Sequence, residues 1–436
     1  MADLPIHFFY LFPLLLILLW YGARKYRRHK ESVSLRDENL KAGLTEPSSL
    51  HPIVDYKLCI GCGACVSACP EGNVLGLVNG IAELINATHC IGHSACKLAC
   101  PFDAITLVFG TEKRGMDIPT IKPDFETNLK GVFIAGELGG MGLIRNACEQ
   151  GRQAMESICK YPGVGDSSGD LLDVLIVGAG PAGITASLGA MESKLKSVTI
   201  EQESFGGTVS HFPRGKLVMT APVKLPIVGN SPFTETTKEK LLEYWEDIKD
   251  KTGLDIQYLE RLEGIEPEDD FYRVTSSKNS YLTRTILLAL GRRGTPRKLG
   301  VPGEDVPKVV YRLIDPAQYA GQRVLVVGGG DSALEAATSI ADEPDSTVTL
   351  SYRSEAFSRA KEKNRQKVEQ AEAEGRLKVL FKSNVTEVSE KQVTLDQKGE
   401  TITLDNDAII VSAGGILPTP FLKKIGIEVE TKHGSS

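Results

Sequence analysis

Two cysteine runs carry the chemistry of this chain. The first, CIGCGACVSACP at 59–70, holds Cys59, Cys62, Cys65 and Cys69 in the spacing C-x2-C-x2-C-x3-C-P. The second, CIGHSACKLACP at 90–101, repeats the frame with Cys90, Cys96 and Cys100, and puts His93 where a second cysteine would stand. Such a run gives three thiolates to one iron–sulfur cluster and a fourth to another. The expected sets are Cys59, Cys62 and Cys65 with Cys100, and Cys90, position 93 and Cys96 with Cys69. Gly61 and Gly63 let the first loop wrap closely, with N–H groups turned toward sulfide. A zinc site would instead need tetrahedral pairs rather than a triple and a crossing partner. At position 93 three readings stand: imidazole ligates the fourth iron, that iron is absent and the cluster is 3Fe-4S, or His93 is a spectator. Imidazole in place of thiolate raises a cluster's potential. His89 lies nearby but off the frame.

Two glycine-rich turns add nucleotide chemistry. LLDVLIVGAGPAGITASLGAMESKLKSVTIEQE sets Gly178, Gly180 and Gly183 between an apolar strand and a helix, and Glu201 closes the next strand. The glycines let backbone approach a pyrophosphate at a helix N-terminus, and the acid accepts from a ribose hydroxyl. QRVLVVGGGDSALEAATSIADEPDSTVTLSYRSEAF repeats the pattern with Gly328, Gly330 and Ala333. Ser351 stands where the acid would be. With no acid to reject it, a 2′-phosphate fits near Arg353, assisted by Arg359 or Lys361, which favours NADP over NAD.

The elements that must position these residues follow from pattern. The chain has 436 residues, enough for about three domains. Hydrophobic residues are 42% and charged residues 24%, as in folded material. A net charge of −6 offers no basic face for nucleic acid. Residues 4–23, LPIHFFYLFPLLLILLWYGA, are almost without charge, and twenty helical residues span roughly 30 Å, one hydrocarbon core. Pro13 is tolerated in lipid. Arg24, Lys25, Arg27, Arg28 and Lys30 follow, which predicts a single-pass inner-membrane anchor with the remaining domains in the cytoplasm. A cleaved signal peptide would carry its positive charge first. The polar residues up to 52 read as a basic flank and tether, 24–52. The clusters occupy 53–110. KEKLLEYWEDIKDK at 238–251 is helical by apolar spacing, and 254–290 alternates like strands.

The cysteine runs resemble bacterial two-cluster ferredoxins. GAGPAG and GGGDSA, with ILLALGRRGTPRKLGVPGE before the second, resemble the thioredoxin reductase superfamily over 111–436. That resemblance implies FAD on the first Rossmann domain, NAD(P)H on the second, and a homodimer. In that family a segment like TNLKGVFIAGE follows the nicotinamide domain; here it precedes GAGPAG, which implies a circular permutation. The FAD domain would then combine 111–165, 172–307 and 413–436, and the NAD(P) domain 308–412. By resemblance, Gly136 approaches the flavin diphosphate, Glu137 stands where the family has Asp, and Gly206 and Gly207 pass the flavin ring. The expected class is α/β: two doubly wound Rossmann-like domains, a small α+β ferredoxin domain and one N-terminal transmembrane helix.

The family's redox C-x-x-C is missing from VVYRLIDPAQYAGQ, so no resident dithiol takes electrons from a flavin. Cys148 and Cys159 share a predicted helix and read as core packing. The expected function is a membrane-anchored flavoprotein passing electrons between NAD(P)H, FAD and the clusters, to or from a soluble or membrane carrier. Two alternatives stand: an NADPH-dependent low-molecular-weight disulfide reductase, since GGTVSHFPRGKLVMTAPVKLPIVG resembles bacillithiol disulfide reductases, and a redox sensor without turnover.

Overall fold

A computed structural model describes residues 6–42, 44–47, 50–112, 115–140, 142–212, 214–220, 222–292, 294–358 and 360–434, with only the backbone described at 6–11, 217, 219 and 295. The chain divides into two units: residues 1–111 with 356–362 and 434–436, and residues 112–355 with 363–433.

In the first unit, helix α1 (Ile6–Lys41) continues past Pro13 and well beyond the apolar run. This corrects the tether expected after residue 23. Residues 24–42 contain no Gly or Pro and are rich in Arg, Lys, Glu and Leu, all strong helix formers. The lower half of α1 is also pinned. His29, Ser32, Arg36 and Asn39 recur at steps of three and four and so share one face. That face meets a hairpin of β2 (Leu75–Val78) and β3 (Ile81–Leu84). His29 Nδ1 lies 3.4 Å from the Leu77 carbonyl, Arg36 pairs with Glu83 at 3.2 Å, and Asn39 Nδ2 donates to the Ile85 carbonyl at 3.0 Å. Gly76 makes the approach possible, since any Cβ there would stand 2.6 Å from Ser32 Oγ. At the other end, Phe12 to Tyr21 are exposed. Residues 4 and 5 of the expected anchor lie outside the described residues. Among the described residues no helix is long and apolar enough to cross a membrane.

Strand β1 (His51–Val54) pairs antiparallel with β4 (Ile105–Val108). Two short helices, α2 (Ala64–Ala68) and α3 (Ala95–Leu98), follow equivalent positions of the two cysteine runs. The core joins Val54, Leu75, Ala82 and Ile105 to Cys65 and Cys96.

The second unit is built on a seven-stranded sheet. Its parallel part contains β7 (Leu171–Val177), β8 (Ser197–Glu201) and a β16 strand (Ser280–Leu288) reached through β14 (Leu262–Pro267) and β15 (Tyr272–Ser276). A short parallel strand, β13 (Gln257–Tyr258), edges β8. The strand β6 (Val132–Ile134) precedes all of these in sequence, yet pairs in parallel with β16, placing Val132 opposite Ile286 and Ile134 opposite Leu288. Both faces of this sheet are covered, so its strands are continuously apolar. Val132, Ile134, Leu175, Ile286 and Leu288 turn to one face; Phe133, Val174, Ile176 and Leu287 turn to the other. On the second face lie α4 (Ile144–Ile158) and α5 (Pro181–Glu192). The predicted 238–251 helix is α6 (Lys238–Thr252), capped by Thr237 and ended by Gly253 in the left-handed region. Before it, β9 (Leu217–Met219) pairs with β12 (Glu235–Thr237), and β10 (Lys224–Leu225) with β11 (Gly229–Asn230).

A second parallel sheet has the order β18 (Val309–Val310), β25 (Ala408–Val411), β19 (Arg323–Val327), β20 (Thr347–Tyr352), β21 (Leu377–Phe381). Helix α7 (Asp331–Ala341) follows β19, and α8 (Glu362–Ala373) precedes β21. A three-stranded sheet of β22 (Ser383–Val388), β23 (Gln392–Gln397) and β24 (Glu400–Asp405) lies between β21 and β25 in sequence. The return segment adds β17 (Thr295–Pro296) paired with β26 (Gly415–Ile416), then α9 (Thr419–Lys424) and β27 (Val429–Lys432). That last strand pairs antiparallel with β5 (Met116–Pro119), and Thr431 Oγ1 donates to Asp117 at 2.7 Å.

Helix α4 reaches α5 at Gly151, where an added Cβ would stand 2.2 Å from the Ala182 carbonyl oxygen. Gly151→Ala should therefore destabilise the second unit by about 1–3 kcal/mol through overpacking. Chemical denaturation of the purified variant checks it, and an unchanged midpoint would mean α4 can move aside.

Candidate redox centres

The first cysteine run and the end of the second enclose one recess. Cys59, Cys62, Cys65 and Cys100 line it together with Ile60, Gly61, Gly63, Ala82 and Phe102. Two left-handed glycines shape the loop: Gly61 at φ 69°, pressed onto the Gly80 carbonyl, and Gly63 at φ 77°, opening α2. The Ala82 N–H donates to Cys59 Sγ at 3.5 Å. Cys65 is buried and Cys62 exposed.

Cys69, Cys90, His93 and Cys96 line a second recess with Glu71, Val74, Leu75 and Gly92. The two quartets are those expected from crossing ligation. His93 Nε2 lies 3.8 Å from Cys69 Sγ, while its Nδ1 faces the Ala95 N–H at 3.4 Å. Through Nε2 the ring would bind iron as the tautomer with its proton on Nδ1, which would give up the Ala95 N–H. Ser94 occupies the place of Gly63 and adopts the same left-handed backbone, φ 67°, at a steric cost that glycine does not carry. His89 is outside the set that lines either recess. Among the described residues, no three Cys, His, Asp or Glu side chains converge as a single-ion site.

Burial pushes the thiols of Cys65 and Cys90 up to about 11. Neighbouring thiols add to the rise: Cys59, Cys62 and Cys100 for Cys65, and Cys96 and Cys69 for Cys90. Sulfurs so placed stay protonated unless a positive centre joins them. Iron supplies that charge, and the donor sets fit it.

In the second unit, segments distant in sequence meet at the start of α5. Gly178 (φ 109°) leaves β7 against the Ala289 carbonyl, and Gly183 sits so close to Gly178 that a Cβ would stand 1.8 Å from its carbonyl oxygen. Gly180 opens the helix, with Pro181 in its first turn. A Cβ on Gly207 would lie 3.0 Å from the Gly180 Cα, and one on Gly136 would lie 2.9 Å from the Ala182 Cβ. Gly206 is likewise left-handed, φ 94°. Glu201 ends β8 and is buried; its carboxylate accepts from the Ala179 N–H (2.7 Å) and the Glu203 N–H (2.9 Å). Burial raises its pKa, opposed by those N–H groups. A backbone cradle at a helix N-terminus beside a fixed carboxylate fits a dinucleotide.

Sequence reading missed two contributors here. The Gln150 side chain accepts from the Gly136 N–H at 2.8 Å. Arg292 is desolvated enough to lower its pKa, and the Glu137 carboxylate opposes that shift. Glu137 also faces Gly142 and Gly291. Gln150 meets Gly136 across 14 residues and Glu137 acts on Arg292 from a distant stretch of chain, so neither shows in a local pattern. Cys148 is buried as expected, in the core with Ile184 and Leu188. Cys159 is a correction: it falls one residue past the end of α4 and is exposed.

The second fingerprint repeats the cradle. A Cβ on Gly328 would stand 2.4 Å from the Ser412 carbonyl oxygen and 2.9 Å from the Ala333 Cβ, and Gly330 opens α7. Ser351 is fully buried and spends its hydroxyl on Ser383 Oγ at 2.7 Å. Arg353 and Lys361 are exposed, and Arg359 lies outside the described residues. The Tyr352 ring covers Gly329. Lys216 donates to Glu335 of α7 at 2.7 Å, tying the segment after Gly207 to the nucleotide helix.

Residues 175–435 match the family described as pyridine nucleotide-disulphide oxidoreductase, and residues 51–101 match the 4Fe-4S dicluster domain. A ferredoxin–NADP reductase of Ignicoccus hospitalis is 30% identical over 270 residues, 60% of this chain and 83% of that protein. The bacilliredoxin reductase Bdr of Bacillus subtilis is 26% identical over 266 residues, 60% of this chain and 82% of its own. Among solved structures, the bacillithiol disulfide reductase Bdr of Staphylococcus aureus shares the fold, with a TM-score of 0.53 at 23% identity, covering 60% of this chain and 81% of that one. The chain belongs to the pyridine nucleotide-disulphide oxidoreductase family with a 4Fe-4S dicluster domain joined to it, and it is an oxidoreductase moving electrons between NAD(P)H, FAD and iron–sulfur groups.

Proposed function

We propose that this chain is a membrane-anchored reductase that links NADPH to an external electron carrier through FAD and two clusters. The observation that carries the reading is the presence, in one polypeptide, of two cysteine quartets and two dinucleotide cradles, with no redox dithiol in 309–322. A flavin held there takes electrons from nicotinamide as a pair and releases them singly, which suits one-electron clusters. In this reading Gly178, Gly180, Gly183, Gly207 and Gly136 admit the flavin diphosphate, Gly206 with Gly207 passes the ring, and Glu201 holds the adenosine ribose. Gly328, Gly330 and Ala333 admit the nicotinamide dinucleotide. The hydroxyl of Ser351 is turned inward, which leaves the exposed Arg353 as the group for a 2′-phosphate. The first recess holds a 4Fe-4S cluster, and His93 completes the second. The ferredoxin–NADP reductase relatives support an electron carrier as partner; in this reading it is soluble or membrane-bound, and flow runs to it or from it.

We read residues 4–23 as the anchor, with the catalytic units on the cytoplasmic side. Support comes from the exposed apolar surface of Phe12–Tyr21 and the five basic residues that follow within one helix. We also infer a circular permutation and, by resemblance, a homodimer. Supporting the permutation, β6 lies beside β16 although it precedes GAGPAG, and β27 pairs with β5, where an unpermuted chain would pass from one to the other. A disulfide reductase is the second reading, favoured by the likeness to Bdr proteins.

Anaerobic protein should reduce a viologen dye from NADPH. Cys62→Ala should abolish the first cluster's EPR signal and slow dye reduction at least tenfold while FAD stays bound; equal rates would put the clusters off the route. His93→Cys should lower the second cluster's potential in a redox titration, and an unchanged titration removes imidazole from its ligands. Protein stripped of the cluster cysteines should not consume bacillithiol disulfide with NADPH; turnover there would select the disulfide reductase.

A further inference from the structure

Helix α1 is fixed to the cluster fold with a definite polarity. His29, the first packed residue, touches the hairpin turn: the Asn79 N–H faces its Nδ1 at 3.4 Å, and the Leu77 carbonyl lies equally near. The next residue of that turn, Gly80, is pressed against Gly61 of the first recess, and Leu77 lies against Gly63. Asn39, ten residues on and about 15 Å further along the helix, holds Ile85. The Ile85 N–H bonds to Val74, which lines the second recess. The first recess therefore sits at the end of the hairpin nearer the apolar run, and the second at the far end. From Tyr21 to His29 is eight residues, about 12 Å of helix.

The rim of the first recess exposes four apolar side chains, with the charged Asp55 and Lys57 beside two of them. Ile60 and Phe102 line it at 64% and 46% exposure, and Tyr56 and Leu58, in the same loop, are 65% and 48% exposed. Cys62 is exposed beside them.

We propose that this rim rests on the bilayer surface into which α1 inserts, and that the first recess exchanges electrons with a lipid-soluble carrier of the quinone class. The inference rests on the anchor reading above. What it adds is that the anchor is a strut, not a leash, and that it presents one recess and not the other to lipid. The balance is complete: NADPH, a proton and the quinone give NADP+ and the quinol. The two electrons of the hydride cross the first recess one at a time, and the second proton of the quinol comes from water.

The test uses full-length holoprotein in vesicles of phosphatidylglycerol and phosphatidylethanolamine containing menaquinone. Flotation reads the anchor alone, and a chain that does not float with the vesicles ends both the anchor reading and this inference. With the chain afloat, Trp20→Phe combined with Tyr56→Trp should show at least twofold more fluorescence quenching by lipids brominated near the headgroup than Trp20→Phe alone. Tyr56→Glu with Leu58→Glu should slow NADPH-dependent quinol formation at least tenfold and leave reduction of methyl viologen in bulk water within twofold. A floating protein whose added tryptophan is not quenched overturns the proposal. So do a menaquinone that is never reduced, a double variant with unchanged quinol formation, and equal losses on both acceptors.

Discussion

The absence of side chains at a few positions governs the second unit. Around the first turn of α5, Gly183 meets Gly178, Gly207 meets Gly180, Gly136 meets Ala182, and Gly151 meets the Ala182 carbonyl, all at separations a Cβ would violate. Each contact brings in a different stretch of chain. Without them, the carboxylate of Glu201 would face no cradle, and β6 could not lie against β16 with α4 packed behind it. The dinucleotide site is thus a by-product of close packing: the same missing atoms that let helix and strand touch also bare the backbone N–H groups an anion needs.

Chain order matters little to this arrangement. Strand β6 lies in the sheet by virtue of its apolar faces, Val132 and Ile134 on one and Phe133 on the other, and a parallel neighbour. Such a strand has no means of knowing whether it is reached early or late in the chain. That is the physical reason a permuted sequence can keep the fold, and it is supported here by the pairing of β5 with β27.

Much of this was legible in the residues. The cysteine spacing grouped the quartets that line each recess, because a C-x2-C-x2-C-x3-C-P run gives three thiolates to one cluster and its fourth to the other. The strand–glycine–helix order located both cradles, since periodicity and turn chemistry are local. What escaped was non-local or polar. The run 24–41 looked like a tether because its packing face is polar; His29, Arg36 and Asn39 hold the hairpin through polar contacts and an ion pair while Ser32 packs on Gly76, which leaves no apolar stripe to read. Gln150 and Arg292 escaped because their partners, Gly136 and Glu137, are brought near them by the fold. Cys159 was misjudged by a single residue, where the helix ends and the chain turns to solvent.

The two recesses also differ in enclosure. Cys90 and Cys96 are buried, whereas Cys62 opens to solvent. A sulfur that meets water also meets dissolved oxygen. With a cluster in each recess, as proposed above, the repeat would be unequal in its chemical durability: under air, metal would leave by the exposed door first, and a sample turning from brown to yellow would pass through a half-loaded form with the enclosed centre still intact.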